Sequence, residues 1–313
     1  MKLFNRFWEL NIKSNPETQT AFDYVIKQDD FGNSLRVKFD INATIDIRYY
    51  SGTIRVYNLE PDKRRNLVFN ILGEKFGTGP SIKLVAGYQE KPGVIMDGVV
   101  QRGHTVREPS TGDWITVLQC GTSFKNDRDV TIQSAKVTNG NLLTLVNNWL
   151  SILIPEGATV DTNGRFIVKR AKSFSNNLTD AVNTFLSTNT IDKTVSFSGP
   201  ASKILNEISL AFDLVFYYDN EGFNVTVPVL GQEDEELEIS QDTGMIGSPV
   251  YTDTGAKVIT YLKPEFRLFQ PIRVKSDVLD KKVKILKLNH RGDSHSNEWY
   301  SEIDASNIGQ ALR

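Results

Sequence analysis

From Ala21 to Gln119, short runs rich in β-branched and aromatic residues alternate with Gly, Asn, Asp or Pro. This predicts strands over 22–27, 34–41, 53–57, 82–87, 94–100 and 114–120. Within 53–57, Ile54 and Val56 alternate with Thr53, Arg55 and Tyr57, the period-two signal of a sheet with one face buried and one wet. One helix is expected to interrupt this antiparallel region. Pro61 suits a first helical turn, Leu67, Val68, Ile71 and Leu72 follow at three-to-four spacing, and Gly73 ends the pattern.

After about Phe124 the period changes. Leu142, Leu145, Val146, Trp149, Ile152 and Leu153 share a helical face closed by Pro155, and Leu178, Ala181, Val182, Phe185 and Leu186 repeat the arrangement. Gly199 and Pro200 open a third helix with Ile204, Leu205 and Ile208 facing inward. It leads into two short runs, 214–218 and 223–227, separated by the turn-forming Asp219, Asn220, Glu221 and Gly222, which reads as a hairpin. The acidic run Glu233, Asp234, Glu235, Glu236 is too polar to bury and marks a boundary. From Leu237 the strand pattern returns, best over 257–262, 272–275, 282–289 and 299–303.

The two strand-rich regions echo each other. The stretch from Gly52 to Arg64 aligns without a gap on Gly255 to Arg267, with Gly52/Gly255, Leu59/Leu262, Pro61/Pro264, Asp62/Glu265 and Arg64/Arg267 coinciding. Further on, each region has a strand leading to a histidine, His104 or His290, and then a return strand led by Trp114 or Trp299. Glycine, proline and a leading tryptophan are common punctuation in β proteins. Their shared order points further, to a duplicated β-barrel split by the middle region. A duplication gives one chain two similar surfaces, and three such chains in a closed ring would offer six.

Composition narrows the chemistry. The chain has 313 residues, 39% hydrophobic and 24% charged, enough for a sizeable core and for two or three domains. Lys and Arg number 36 against 38 Asp and Glu, so no surplus of positive charge drives binding to nucleic acid or anionic lipid. The single cysteine, Cys120, has no partner for a disulfide or a zinc site, which fits folding in a reducing cytosol. No stretch reaches the about 18 apolar residues of a spanning helix, and Asn5, Arg6 and Glu9 interrupt the opening residues where a signal would be apolar. The expectation is a soluble chain without membrane insertion.

The stretch from Thr243 to Arg267, the run Ile272-Arg-Val-Lys-Ser276 and the closing segment from Asn289 to Ile303 resemble the baseplate hub proteins of tailed bacteriophages. So do Ile54-Arg-Val-Tyr-Asn-Leu59, Gly87-Tyr88 and Asp97-Gly98-Val99 in the first region. The resemblance implies an α+β, mainly β fold: a first tube-like antiparallel barrel over 1–125, an inserted α+β region over 126–235 and a second barrel over 236–313. It also implies a homotrimer forming a pseudo-sixfold ring that joins the hexameric tail tube protein to the trimeric central spike protein. Baseplate wedge or other tail proteins would dock around the ring, and DNA would be free to pass through it. Such a protein is assembled in the host cytoplasm and resides in the virion tail.

The tempting chemical motifs point elsewhere. The run Gly292-Asp-Ser-His-Ser296 lacks the final glycine of a nucleophile elbow, and Arg291-Gly292-Asp293 reads as a solvated hairpin loop instead of a receptor-binding tripeptide. His104 and His290 are expected to serve as structural hydrogen-bonding residues, since no ligand set accompanies them. The cluster from Glu60 to Arg65 reads as an exposed helix start of mixed sign. Glu233 to Glu236 reads as a solvated linker, or as an acidic lining that keeps DNA off a channel wall. Trp114 and Trp299 are expected as core or interface anchors. No catalytic, cofactor-binding or metal-binding residue is expected, and the protein is read as no enzyme. The alternatives are a tail attachment protein binding host glycans through exposed aromatics, or a cell-wall hydrolase needing a paired carboxylate in a cleft.

Overall fold

The computed structural model describes residues 5–15, 21–28, 35–44, 50–70, 79–121, 131–137, 140–141, 144, 187–191, 195–212, 215–219, 222–226, 237–253 and 255–307. The chain opens with β1 (Arg6–Lys13), β2 (Asp23–Lys27), β3 (Val37–Thr44) and β4 (Ser51–Tyr57), then a short helix α1 (Pro61–Asn66). β5 (Phe69–Asn70), β6 (Ser81–Tyr88), β7 (Lys91–Arg107) and β8 (Trp114–Gly121) follow. Alternation is strict where one face is buried: in β3, Val37, Phe39, Ile41 and Ala43 are buried while Lys38, Asp40, Asn42 and Thr44 are half-exposed. Each large aliphatic side chain so buried contributes roughly 1.5–3 kcal/mol.

Two expectations change here. The helix is shorter than its apolar pattern suggested: it ends at Asn66, Leu67 is a buried cap residue, Val68 is exposed, and the chain turns at once into β5. Ile71 and Leu72 lie outside the described residues. The expected strand over 94–100 is the middle of a 17-residue strand, and β1 carries no counterpart in the pattern reading.

The intervening region contains β9 (Thr131–Val137) paired with β12 (Val195–Pro200), β10 (Gly140–Asn141) paired with β11 (Thr190–Ile191), helix α2 (Ala201–Phe212), and the hairpin β13 (Val215–Asp219) and β14 (Gly222–Thr226). The helix and hairpin stand where they were expected, and Ile204 and Ile208 are fully buried. Of the helix expected over 142–153 only Thr144 is described, and it is helical; the helix expected over 178–186 and the acidic run 233–236 lie outside the described residues. No described helix is long and apolar enough to cross a membrane.

The last segment supplies β15 (Leu237–Ile239), β16 (Val250–Thr252), β17 (Gly255–Tyr261), β18 (Pro271–Lys275), β19 (Asp280–Asp293) and β20 (Trp299–Asn307). Together with β1 to β8 they form a single 14-stranded sheet, so the molecule is mainly antiparallel β. The echo in the sequence is realised as topology. The N-terminal strands run in the order β3-β4-β8-β7-β6-β1, and the C-terminal strands repeat it as β16-β17-β20-β19-β18-β15. The long strands match in detail: β7 slips register against β8 between Val100 and Arg102, and β19 against β20 between Ile285 and Lys287, each a few residues before its histidine. The leaving strand is tied to the leading tryptophan in both copies, Asn58 N–H donating to the Trp114 carbonyl (2.7 Å) and Leu262 N–H to that of Trp299 (3.4 Å). One end of the repeat differs, β1 pairing antiparallel with β6 but β15 parallel with β18.

The shared glycines mark close approach. A Cβ at Gly52 would meet the tip of Ile41, and one at Gly255 the carbonyl oxygen of Ala305. One continuous hydrophobic cluster runs from Trp8 and Leu10 through Phe39, Ile54 and Leu118 to Val258, Ile285 and Ile303.

Candidate functional site

The feature that distinguishes this sheet is the seam where its two repeats meet. The C-terminal part of β19 lies between β20 and β3, and its pairing with β3 runs from Lys287 opposite Thr44 to Asp293 opposite Lys38. On the core side, Phe39 packs edge-to-face on Trp299, 5.3 Å between centroids and 71° between planes. Gly292 opposite Phe39 leaves room for the ring, which any side chain there would strike. Trp299 is buried and its Nε1–H donates to the Gly87 carbonyl across the seam at 3.0 Å. Pro264 packs against Gly87 and Gly93, and Lys91 reaches Glu265 at 3.3 Å.

Charged groups close one end of the seam. Asp293 is 1% exposed and receives a two-pronged contact from Arg36, Nε to Oδ1 at 3.0 Å and Nη2 to Oδ2 at 2.6 Å. Burial alone would push this carboxyl up. The Arg36 hydrogen bonds, the His295 backbone N–H and the Arg36 charge outweigh it and hold the carboxyl below the usual carboxylate range. Arg6 donates to the Asp293 and Ser296 carbonyls and lies over the Trp299 ring. Ser294 Oγ accepts from Val37 N–H at 3.0 Å, and Lys38 pairs with Glu298 at 2.7 Å. The loop 293–299 is therefore a clamp between the repeats.

This corrects the reading of Arg291-Gly292-Asp293 as a solvated loop. The residues do lead into the hairpin between β19 and β20, but the aspartate is anchored by an arginine from the other repeat. Arg6 and Arg36 gave no sequence signal, because nothing local marks a cation whose partners lie 257 to 290 positions away. Asp293 was visible as a residue but not as half of an ion pair.

The remaining expected residues divide. His290 is buried, its Nδ1 2.8 Å from Ser301 Oγ, and burial with the nearby Arg267 charge pushes its pKa down to about 3, so it is a neutral structural residue as expected. His104 does not match it, since its Nδ1 is shielded and makes no hydrogen bond. Trp299 is a seam anchor, whereas Trp114 is 41% exposed, with Arg64 at 4.5 Å and Arg107 at 5.8 Å from its ring centroid. The Arg64 guanidinium lies over that ring in cation–π geometry. In the Glu60 to Arg65 cluster, Lys63 pairs with Glu60 and Arg65 with Asp62, the exposed mixed-sign helix expected.

Outside the core, the wet face of the sheet forms a groove of about 410 Å³ lined by residues that include Asn42, Lys257, Lys287, Arg291, Glu302 and Asp304. Two of its three cations are paired: Lys257 lies 3.6 Å from Asp304, and Arg291 3.5 Å from Asp40 and 3.6 Å from Glu302. Among the described residues no group of three or more His, Cys, Asp or Glu is placed to hold a metal ion.

Solved structures of tail proteins share this mainly antiparallel fold. A tail protein from Neisseria meningitidis MC58 superposes with a TM-score of 0.59 at 10% identity, over 97% of this chain and 98% of that one. The 43 kDa tail protein of prophage MuSo2 from Shewanella oneidensis superposes with a TM-score of 0.58 at 10% identity, over 96% and 98%. The E. coli c3393 protein, a type VI secretion component described as similar to the T4 tail proteins gp27 and gp5, gives 0.53 at 9% identity, over 88% and 74%. No protein-family model matches the chain, and no curated protein matches it by sequence.

Proposed function

We propose that this chain is a structural virion protein, the baseplate hub of a phage tail. In this reading 1–125 and 236–313 are two tube-like barrels with 126–235 inserted between them. Three chains close into a pseudo-sixfold ring, which meets the hexameric tail tube on one face and the trimeric central spike on the other, with wedge or other tail proteins outside. The observation that carries the reading is the repeated strand order sealed through β3 and β19. A chain holding two like units at a fixed angle is the unit from which a threefold assembly builds a sixfold-like ring. The ion pairs of Lys257 and Arg291 on the wet face of the sheet lower its positive charge, which suits a wall past which DNA moves. The protein acts by geometry, not by catalysis.

The test is the mass of the purified protein in solution, measured by light scattering over a range of concentrations. A species of three chains is expected. A strict monomer at every concentration would count against the ring.

A further inference from the structure

On the wet face, side chains of neighbouring strands line up in rows that cross the groove, successive rows lying about 7 Å apart along the strands. Lys257, Asp304 and Lys287 form one row, Glu302, Asn289 and Asn42 the next, and Arg291 with Asp40 lies in the third. The first row holds two cations against one carboxylate: Lys257 takes Asp304, and Lys287, which is exposed, has no ion-pair partner among the described residues. Toward the third row the balance reverses, since the single Arg291 serves both Asp40 and Glu302. The groove is therefore dipolar, with a positive charge in surplus at one end and a negative charge at the other. Between them stands Asn289, 6% exposed, whose side-chain oxygen has no hydrogen-bond partner, and Arg291 Nε lacks one as well. Buried polar atoms left unmet are costly, and these two call for a group that both donates and accepts.

We propose that this groove docks an extended peptide segment of a partner protein in which an acidic and a basic residue stand two apart. Residues two apart in an extended segment point to one side at about 7 Å, the spacing of the rows. The acid meets Lys287, the base meets the Glu302 and Asp40 end, and the backbone between them lies over Asn289. There the Asn289 amide turns about its broad terminal torsion to accept from a backbone N–H, and Arg291 Nε donates to a backbone carbonyl. Charge complementarity selects this occupant. A nucleic acid brings only negative charge and an uncharged sugar brings none, whereas a peptide brings both signs at the row spacing together with an amide. A groove of about 410 Å³ takes a few residues, not a domain. Val250 and Ile259, exposed in its lining, offer apolar contact to the flanking residues of the segment. The site lies wholly within one chain, so it does not rest on the ring.

Saturation-transfer NMR on the purified full chain tests this with three blocked five-residue peptides of alanine. One carries glutamate and lysine at its second and fourth positions, one carries glutamate at both, and one carries lysine at both. The mixed peptide is expected to bind about tenfold more tightly than either of the others, with an advantage that shrinks at high salt. Lys287→Glu, at an exposed position, is expected to leave the circular dichroism spectrum unchanged, to weaken the mixed peptide and to strengthen the two-lysine peptide. A variant that had merely unfolded would show no such gain. Equal binding of all three peptides, or binding of none at millimolar concentration, overturns the proposal. A preference for the two-glutamate peptide also overturns it, because the face would then be a plain anion site. So does a preference for the mixed peptide that Lys287→Glu leaves unaltered. Light scattering on the same sample reads the ring separately, so either idea can fail alone.

Discussion

At the scale of single residues, the seam separates groups that hold shape from groups that could do chemistry. His290 has the composition of a catalytic residue and the surroundings of a structural one: Ser301 holds its ring, and burial keeps it neutral. Its folded pKa, about 3, lies below the unfolded value of 6.5. The unfolded chain therefore binds a proton that the folded chain refuses as pH falls through 6.5. The stability it confers is complete above that value and is lost progressively down toward the folded pKa. Lowering the pH from 7 to 5 is expected to cost about 2 kcal/mol through this residue, and His290→Gln should flatten that part of a urea-denaturation series. An unchanged slope in the variant would show that His290 does not set it.

At the scale of elements, strands were legible wherever one face is buried and the other wet. Alternation in β4 and the turn residues between strands located most of the N-terminal group, and the histidine and tryptophan markers located β7 with β8 and β19 with β20. What was hidden has a physical cause. The apolar residues after Pro61 were read as a helical face, yet Leu67 is buried as a cap and Phe69 pairs with Gly103, so tertiary contact overrode the periodicity. The seam itself left no local trace, since a strand that pairs on both sides looks in sequence like one that pairs on one. Its position in the sheet makes a prediction. β3 and the C-terminal part of β19 are hydrogen-bonded on both sides, whereas β2 and β16 end the sheet. Hydrogen exchange of the lone chain should leave amides of 39–43 and 288–292 among the slowest and those of 250–252 among the fastest. Exchange of β3 as fast as that of β16 would mean that the seam opens readily.

At the scale of the whole molecule, the repeats share one sheet and one apolar cluster, so they should not unfold separately. Ile54 lies in the first and Ile303 in the second, both fully or almost fully buried. Replacing either with alanine should cost about 2–4 kcal/mol and should shift the same calorimetric transition. If Ile54→Ala moved one transition and Ile303→Ala another, the clamp at Asp293 would not be coupling them. Rigid coupling is what the proposed hub requires, because a ring built from chains that flexed at the seam would have no fixed diameter for the tail tube to meet.

The distance along the chain between the two sides of the seam also has a consequence for synthesis. Arg36 waits 257 positions for Asp293. At the 5–20 residues per second of a ribosome, that is a delay of roughly 10–50 s during which β3 has β4 on one side and nothing on the other. An open strand edge invites pairing with a neighbouring nascent chain. The half-exposed Lys38 and Asp40 on β3 supply the kind of charge that discourages such mispairing. Those residues would thus guard the nascent chain first and complete the seam only once β19 has left the ribosome.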